Sequence, residues 1–234
     1  MNAKRIIPDS LTCGNLLCGA IAVFLATQGA FIGAFLFILG GALFDFCDGW
    51  SARLLKVVSP IGVQLDSLAD VITFGLAPAM MLFCYLRPIL GWWALLALLM
   101  AAFSALRLAK FNVDERQHES FIGLATPANA IFWGGICCLP ISVMAYDWMG
   151  WCLIALSFVS CYLLNAEIPF FSFKSVKKQR VEVMSFLVGC IILIVFCVVK
   201  AIINKHIEFA LFSGTACILW YVTLNLLLAF AKKN

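Results

Sequence analysis

The sequence predicts an all-α fold: a polytopic transmembrane helical bundle of about eight spans, with both termini in the cytoplasm. Three observations predict it. The chain of 234 residues is 64% hydrophobic and only 12% charged, and its mean hydropathy of +1.05 is too high for a soluble domain. Apolar runs long enough to cross a hydrocarbon core of ~30 Å recur along the chain. Lysine and arginine collect in alternate connections between those runs, the pattern of the positive-inside rule.

Taken in order, the spans are expected at roughly 11–28, 31–55, 61–85, 90–110, 127–145, 149–166, 183–200 and 208–230. Turn-forming residues separate them at Gly29, Ser59-Pro60, Arg87-Pro88, Thr126-Pro127, Asp147 to Gly150, and Pro169. Connections this short leave little room for a soluble module, so residues 1–234 read as a single integral-membrane domain. Of the 16 basic residues, all but Arg87, Lys200 and Lys205 fall on one side. That places both termini, and the loops after the second, fourth and sixth spans, in the cytoplasm. Met1 to Asp9 lacks the apolar core and cleavage site of a removable signal, so the first run is expected to be a retained helix.

Composition also excludes classes. The formal charge of +4 includes no basic domain suited to nucleic acid. Nearly all of the 11 cysteines lie inside apolar runs, where thiols act as small hydrophobes, and their spacing suggests neither a disulfide framework nor a zinc site. Trp92, Trp93, Trp148 and Trp151 read as interfacial anchors. His118 and His206 read as exposed polar residues, and Lys174, Lys177, Lys178 and Arg180 as a basic loop that sets topology and attracts anionic lipid.

Against this apolar background stand Asp45, Asp48, Asp66 and Asp70, on two successive spans. The first pair is three residues apart and the second four, so each pair occupies one face of its helix. Gly49 and Ala52 continue the first face, and Gly62 lies one turn before Asp66. Small residues there let two helix backbones approach closely. An acid at mid-membrane costs roughly 2.5–3.5 kcal/mol, and Arg53 alone cannot neutralise four of them. Two divalent cations can, and hard oxygen ligands suit Mg²⁺ or Mn²⁺. Helical rise puts Asp48 about 8 Å and Asp45 about 12 Å inside Arg53, and Asp66 about 9 Å beyond Pro60. The cluster therefore opens in the cytoplasmic leaflet, at the depth of lipid headgroups, where paired metals suit phosphoryl transfer. An intramembrane cation pathway is the rival from another class, although the acids gather at one leaflet instead of threading the bilayer.

The spacing, Asp45, two residues, Asp48-Gly49, two residues, Ala52-Arg53, eight residues, Gly62, three residues, Asp66, three residues, Asp70, resembles the full signature of the CDP-alcohol phosphatidyltransferase family. The resemblance implies that the first three aspartates bind two divalent cations and that the last is a ligand or the base for the incoming hydroxyl. CMP then departs from a CDP-linked lipid. Carried over by position, Asp45, Asp48, Asp66 and Asp70 are metal ligands and Asp70 is the candidate general base. Gly49, Ala52 and Gly62 admit the nucleotide, and Arg53 holds a phosphate. The resemblance also implies a homodimer.

Further similarity covers roughly the first 135 residues. Ile7-Pro8-Asp9-Ser10-Leu11-Thr12 with Gly14-Asn15, Arg107 to Asn112, Phe121-Ile122-Gly123-Leu124, and Thr126-Pro127-Ala128 resemble the membrane-embedded phosphatidylserine synthases of that family. This implies CDP-diacylglycerol as donor and L-serine as acceptor, in the bacterial inner membrane. Glycerol 3-phosphate or an inositol phosphate is the alternative acceptor. Asp9, where Asn is frequent, and Ala125, inside the usual Gly-Leu-Pro, depart from the pattern. On the residues alone, Arg107, Lys110 and Asn112 offer two cations and an amide for a serine carboxylate. Arg107 and Lys110 could equally anchor the helix at the interface or meet a lipid phosphate. Asn15 and Thr12 could bond the cytosine, a metal-site acid or a neighbouring helix.

Overall fold

The computed structural model describes residues 3–57, 60–113, 121–141, 147–170, 180–205 and 207–231. The expected all-α architecture is what it shows. Helices α1 (Ala3–Thr27) and α2 (Phe31–Leu55) pack along each other as a hairpin. The reversal uses a Schellman-type cap, with Gly29 N–H bonded to the Ala26 carbonyl at 3.0 Å and Ala30 N–H to the Leu25 carbonyl at 3.0 Å. Gly29 takes φ +74° there, where any side chain would be strained.

Helix α3 (Pro60–Asp70) runs without a break into a π turn, Val71–Leu76, and on into α4 (Ala77–Leu90). Pro78 gives a local reason. It has no N–H for the carbonyl four residues back, at Phe74, and its ring crowds that carbonyl, so the turn before it widens. At Gly91 the backbone reaches φ 57° and ψ −131°, and the chain folds back through a 3₁₀ segment, Gly91–Leu98, into α5 (Leu99–Val113). α5 then lies along the π turn. Gly75 permits this contact, since a Cβ on it would come within 3.0 Å of the Ser104 Cβ.

The remaining helices are α6 (Thr126–Cys137), α7 (Asp147–Asn165), α8 (Arg180–Asn204) and α9 (Glu208–Ala231). Among the described residues, strand structure is confined to a two-residue bridge, β1 (Phe121–Ile122) antiparallel to β2 (Pro169–Phe170). Gly123 and Leu124 next to it donate to the carbonyls of Ile168 at 3.0 Å and Leu163 at 2.9 Å. These bonds tie the start of α6 to the end of α7.

The core is built around α4. Met81, Leu82, Tyr85 and Leu86 meet Phe35 and Ile38 of α2, Phe74 of the π turn, Met100 of α5 and Trp133 of α6, all essentially inaccessible. The outer surface is apolar too: Leu43, Phe46 and Ile192 are 65%, 64% and 62% exposed. A soluble protein does not present such a surface, whereas a bilayer covers it. The chain is an integral membrane protein. Its eleven cysteines are all free thiols.

Six described stretches are long and apolar enough to cross a membrane: Arg5–Thr27, Phe31–Leu55, Pro60–Val113, Trp148–Asn165, Met184–Asn204 and Glu208–Leu227. The expected third and fourth spans form one continuous run of 54 residues that reverses inside itself at Gly91. The expected fifth is α6, only 12 residues long, short of the ~20 that a bilayer requires. Leu139-Pro140 ends it, because proline lacks the donor that another turn would need. His118, His206, Lys174, Lys177 and Lys178 lie outside the described residues.

Candidate active site

Three helix ends build the site. α2 carries Asp45 and Asp48, α3 carries Asp66 and Asp70, and α1 lies against both. One carboxylate oxygen from each of Asp45, Asp48 and Asp66 falls within 4.8 Å of the others. Two metal–oxygen bonds of ~2.1 Å laid end to end span ~4.2 Å, so these three oxygens close on a cation with a small inward movement. Asp66 Oδ1 is buried with no hydrogen-bond partner, as an oxygen reserved for a cation would be. The three-carboxylate set fits a hard divalent ion. Asp70, buried one turn beyond Asp66, stands outside that trio.

Two residues of α1 hold these acids. Thr12 donates its hydroxyl to Asp48 Oδ2 at 2.6 Å, and Asn15 Nδ2 donates to Asp70 Oδ1 at 3.1 Å. Both bonds run from α1 to an aspartate of a neighbouring helix. The Asn15 carbonyl accepts from Thr73 of the π turn at 2.9 Å. Gly19 and Gly41 make room for this junction: a Cβ on Gly19 would meet the Thr73 backbone nitrogen at 2.9 Å, and one on Gly41 would meet Asn15 Oδ1 at 2.9 Å.

Beside the trio a cleft of about 250 Å³ is lined by Thr12, Asp48, Gly49, Ala52, Gly62 and Asp66, with Arg5, Pro8, Asp9, Val57 and Val63. It thus gathers all the positions expected to admit a nucleotide except Arg53 and Asn15. The exposed Arg53 folds back along α2, its Nε donating to the Gly49 carbonyl at 2.9 Å. Arg5 is the basic residue on the wall. In the sequence Arg5 counts only toward topology, since a single cation two residues into α1 carries no signal of a site.

The three residues expected at the serine end are separated. Arg107 is buried, its Nη1 donating to Thr126 Oγ1 at 3.3 Å. Lys110, one turn on, is exposed. Asn112 donates to Ser67 Oγ at 2.8 Å, which ties the end of α5 to α3 beside Asp66. Thr126 and Ser67 were missed as partners, because a bond between distant helices leaves no periodic trace in the sequence.

The geometry amounts to three converging carboxylates, able to hold a hard cation, at the rim of a cleft between α1, α2 and α3, with a buried guanidinium on α5. Comparison with known proteins points the same way. Residues 5–163 match the family model described as CDP-alcohol phosphatidyltransferase. A CDP-diacylglycerol–serine O-phosphatidyltransferase of Bacillus subtilis is 35% identical over 182 residues, 75% of this chain and 96% of the relative. Proteins of the same name from Helicobacter pylori and Methanocaldococcus jannaschii are 33% and 35% identical, each over 56% of this chain and over 56% and 60% of their own lengths.

Proposed function

The chain belongs to the CDP-alcohol phosphatidyltransferase family, and from that premise we propose that it transfers the phosphatidyl group of CDP-diacylglycerol to the hydroxyl of L-serine, giving phosphatidylserine and CMP. The observation that carries the reading is the convergence of Asp45, Asp48 and Asp66 within 4.8 Å at the edge of a headgroup-sized cleft. The names of the relatives supply the acceptor.

In this reading Asp45, Asp48 and Asp66 bind Mg²⁺ or Mn²⁺, with Asp70 completing the ligand set for a second ion. Such ions, when bound, neutralise the diphosphate and the charge that gathers on the departing CMP oxygen. Gly49, Ala52 and Gly62 leave space for the cytidine nucleotide along the cleft. Arg5 on the cleft wall and Arg53, one turn beyond Gly49 on α2, serve the phosphates, and Thr12 and Asn15 hold Asp48 and Asp70 in place. The serine oxygen forms a bond to the phosphorus that carries diacylglycerol as the bond from that phosphorus to the CMP oxygen breaks. The hydroxyl proton passes to Asp70. Arg107 pairs with the serine carboxylate, and Lys110 and Asn112 stand at the rim on the next turn of α5.

The site opens to the cytoplasm of a bacterial inner membrane with both termini on that side, a placement supported by the loop charges. Residues 1–234 act as one domain and pair as a homodimer. The test is CMP release by the purified full chain in detergent, with CDP-diacylglycerol and Mg²⁺ or Mn²⁺, comparing L-serine, glycerol 3-phosphate, an inositol phosphate and no acceptor. Serine-dependent release with phosphatidylserine as product is expected. Release with another acceptor alone would overturn the serine assignment.

A further inference from the structure

Helix α3 is lightly held for an element that carries two of the four aspartates. Among the described residues it packs on α1 and on the π turn, while its contacts with α2 and α5 are sparse. Ile61 and Leu68 on it are exposed. A small shift of such a helix moves Asp66 against Asp45 and Asp48, whose oxygens it meets within 4.8 Å. A metal site tolerates little of that, because each ligand must stay within about 0.2 Å of its bonding distance.

One bond steadies α3 from the side of α5. Asn112 Nδ2 donates to Ser67 Oγ at 2.8 Å, and the same hydroxyl donates to the Val63 carbonyl at 3.1 Å. With its proton committed to its own helix, the Ser67 oxygen is left as the acceptor for Asn112. A second meeting point agrees in register. Gly75 of the π turn lies against Ser104 of α5; Ser67 is eight residues before Gly75, and Asn112 eight after Ser104. The two stretches therefore run in opposite directions and touch at two places, about 12 Å apart by helical rise. Ser67 also follows Asp66 directly and precedes Asp70 by three residues. Asn15 grips Asp70 from α1 at 3.1 Å, and Asn112 grips Ser67 from α5. Holds from two different helices, one turn apart, fix the tilt of α3 and its rotation about its own axis.

We propose that Ser67 and Asn112 are a positioning pair for the cation site, their bond setting where the Asp66 carboxylate stands relative to Asp45 and Asp48. This rests on the cation reading of that trio given above. The pair acts on metal affinity through the backbone of α3, and neither side chain has to touch the ion. It also joins the helix that carries Arg107 and Lys110 to the one that carries Asp66 and Asp70. Asn112 is placed at the serine rim as well, so Ser67 supplies the decisive variant.

The test uses the purified full chain in detergent with Ser67→Ala, Asn112→Ala and the double variant. The rise of melting temperature on titration with Mn²⁺, measured without CDP-lipid or serine, reports metal binding apart from turnover. Its midpoint concentration should increase about 3- to 10-fold in each single variant, the range that one net hydrogen bond supports. The double variant should show no further increase, since the second change removes a bond already lost. Ser67→Thr keeps the hydroxyl and should return the midpoint to the parent value. In CMP release, the Mn²⁺ midpoint of Ser67→Ala should rise by a similar factor, with KM for L-serine within about twofold of the parent. An unshifted Mn²⁺ midpoint in Ser67→Ala, with metal stabilisation intact in the parent, would overturn the pair alone and leave the bond to helix packing. Single effects that multiply in the double variant would overturn it too. A parent protein that gains nothing from Mn²⁺ would overturn the cation site and the pair with it.

Discussion

Asn15 and Asp70, on α1 and α3, are joined by a 3.1 Å bond from the Asn15 amide to Asp70 Oδ1. Both side chains are buried, so the bond fixes which way the last carboxylate of the motif can face.

Replacing Asn15 with Leu should lower kcat about 10- to 100-fold, the usual cost of losing a residue that orients a metal-site ligand. KM for CDP-diacylglycerol should change far less. Steady-state CMP release checks this, and an equal loss in both parameters would mean that Asn15 acts on donor binding instead.

Three carboxylates within 4.8 Å repel one another unless a cation sits among them. In EDTA, Asp66→Asn should therefore melt at a higher temperature than the parent protein, by a few degrees. Adding Mg²⁺ or Mn²⁺ should raise the melting temperature of the parent and leave the variant nearly unmoved, and transferase activity of the variant should fall about a thousandfold or more. A variant that gains as much from the metal as the parent would remove Asp66 from the cation site.

Thr12→Val keeps the shape but deletes the 2.6 Å bond to Asp48. The divalent-cation concentration giving half-maximal activity should rise about 10-fold or more. A metal titration of activity reads this directly, and an unshifted midpoint would assign Thr12 to helix packing alone.

Two glycines should separate folding from binding. A Cβ on Gly19 meets the Thr73 backbone, while one on Gly49 has nothing within 4 Å. Gly19→Ala should lose about 1–3 kcal/mol of stability by overpacking, seen as a lower melting temperature or poor yield. Gly49→Ala should fold normally and raise KM for CDP-diacylglycerol, because Gly49 lines the cleft. Equal melting temperatures for the two variants would contradict the close approach of α1 to the π turn.

The parts of the site that were legible in the sequence are those whose signal is local. Asp45 with Asp48 and Asp66 with Asp70 share helix faces by spacing alone, and the small residues Gly49, Ala52 and Gly62 line a cleft beside them. What was not legible depends on tertiary contact. Arg53 and Arg107 look alike as cations near span ends, yet one folds onto its own helix and the other is buried against Thr126. The bundle was legible from hydropathy. The fold-back at Gly91 and the early end of α6 were not, since both depend on where one backbone turns and not on how apolar its neighbours are.

The π turn after Asp70 has one further effect. An α-helix advances about 100° per residue, so the wide turn sets a phase difference between α3, which displays aspartates, and α4, which displays Met81, Leu82 and Tyr85. Removing one of its half-buried residues, Val71, Ile72 or Leu76, would leave every aspartate and every fully buried core side chain in the chain. It would nonetheless rotate one set by about 100° against the other, so that the carboxylates face their partners only when the core does not. The chemistry of this protein is therefore keyed to a count of residues as well as to their identity.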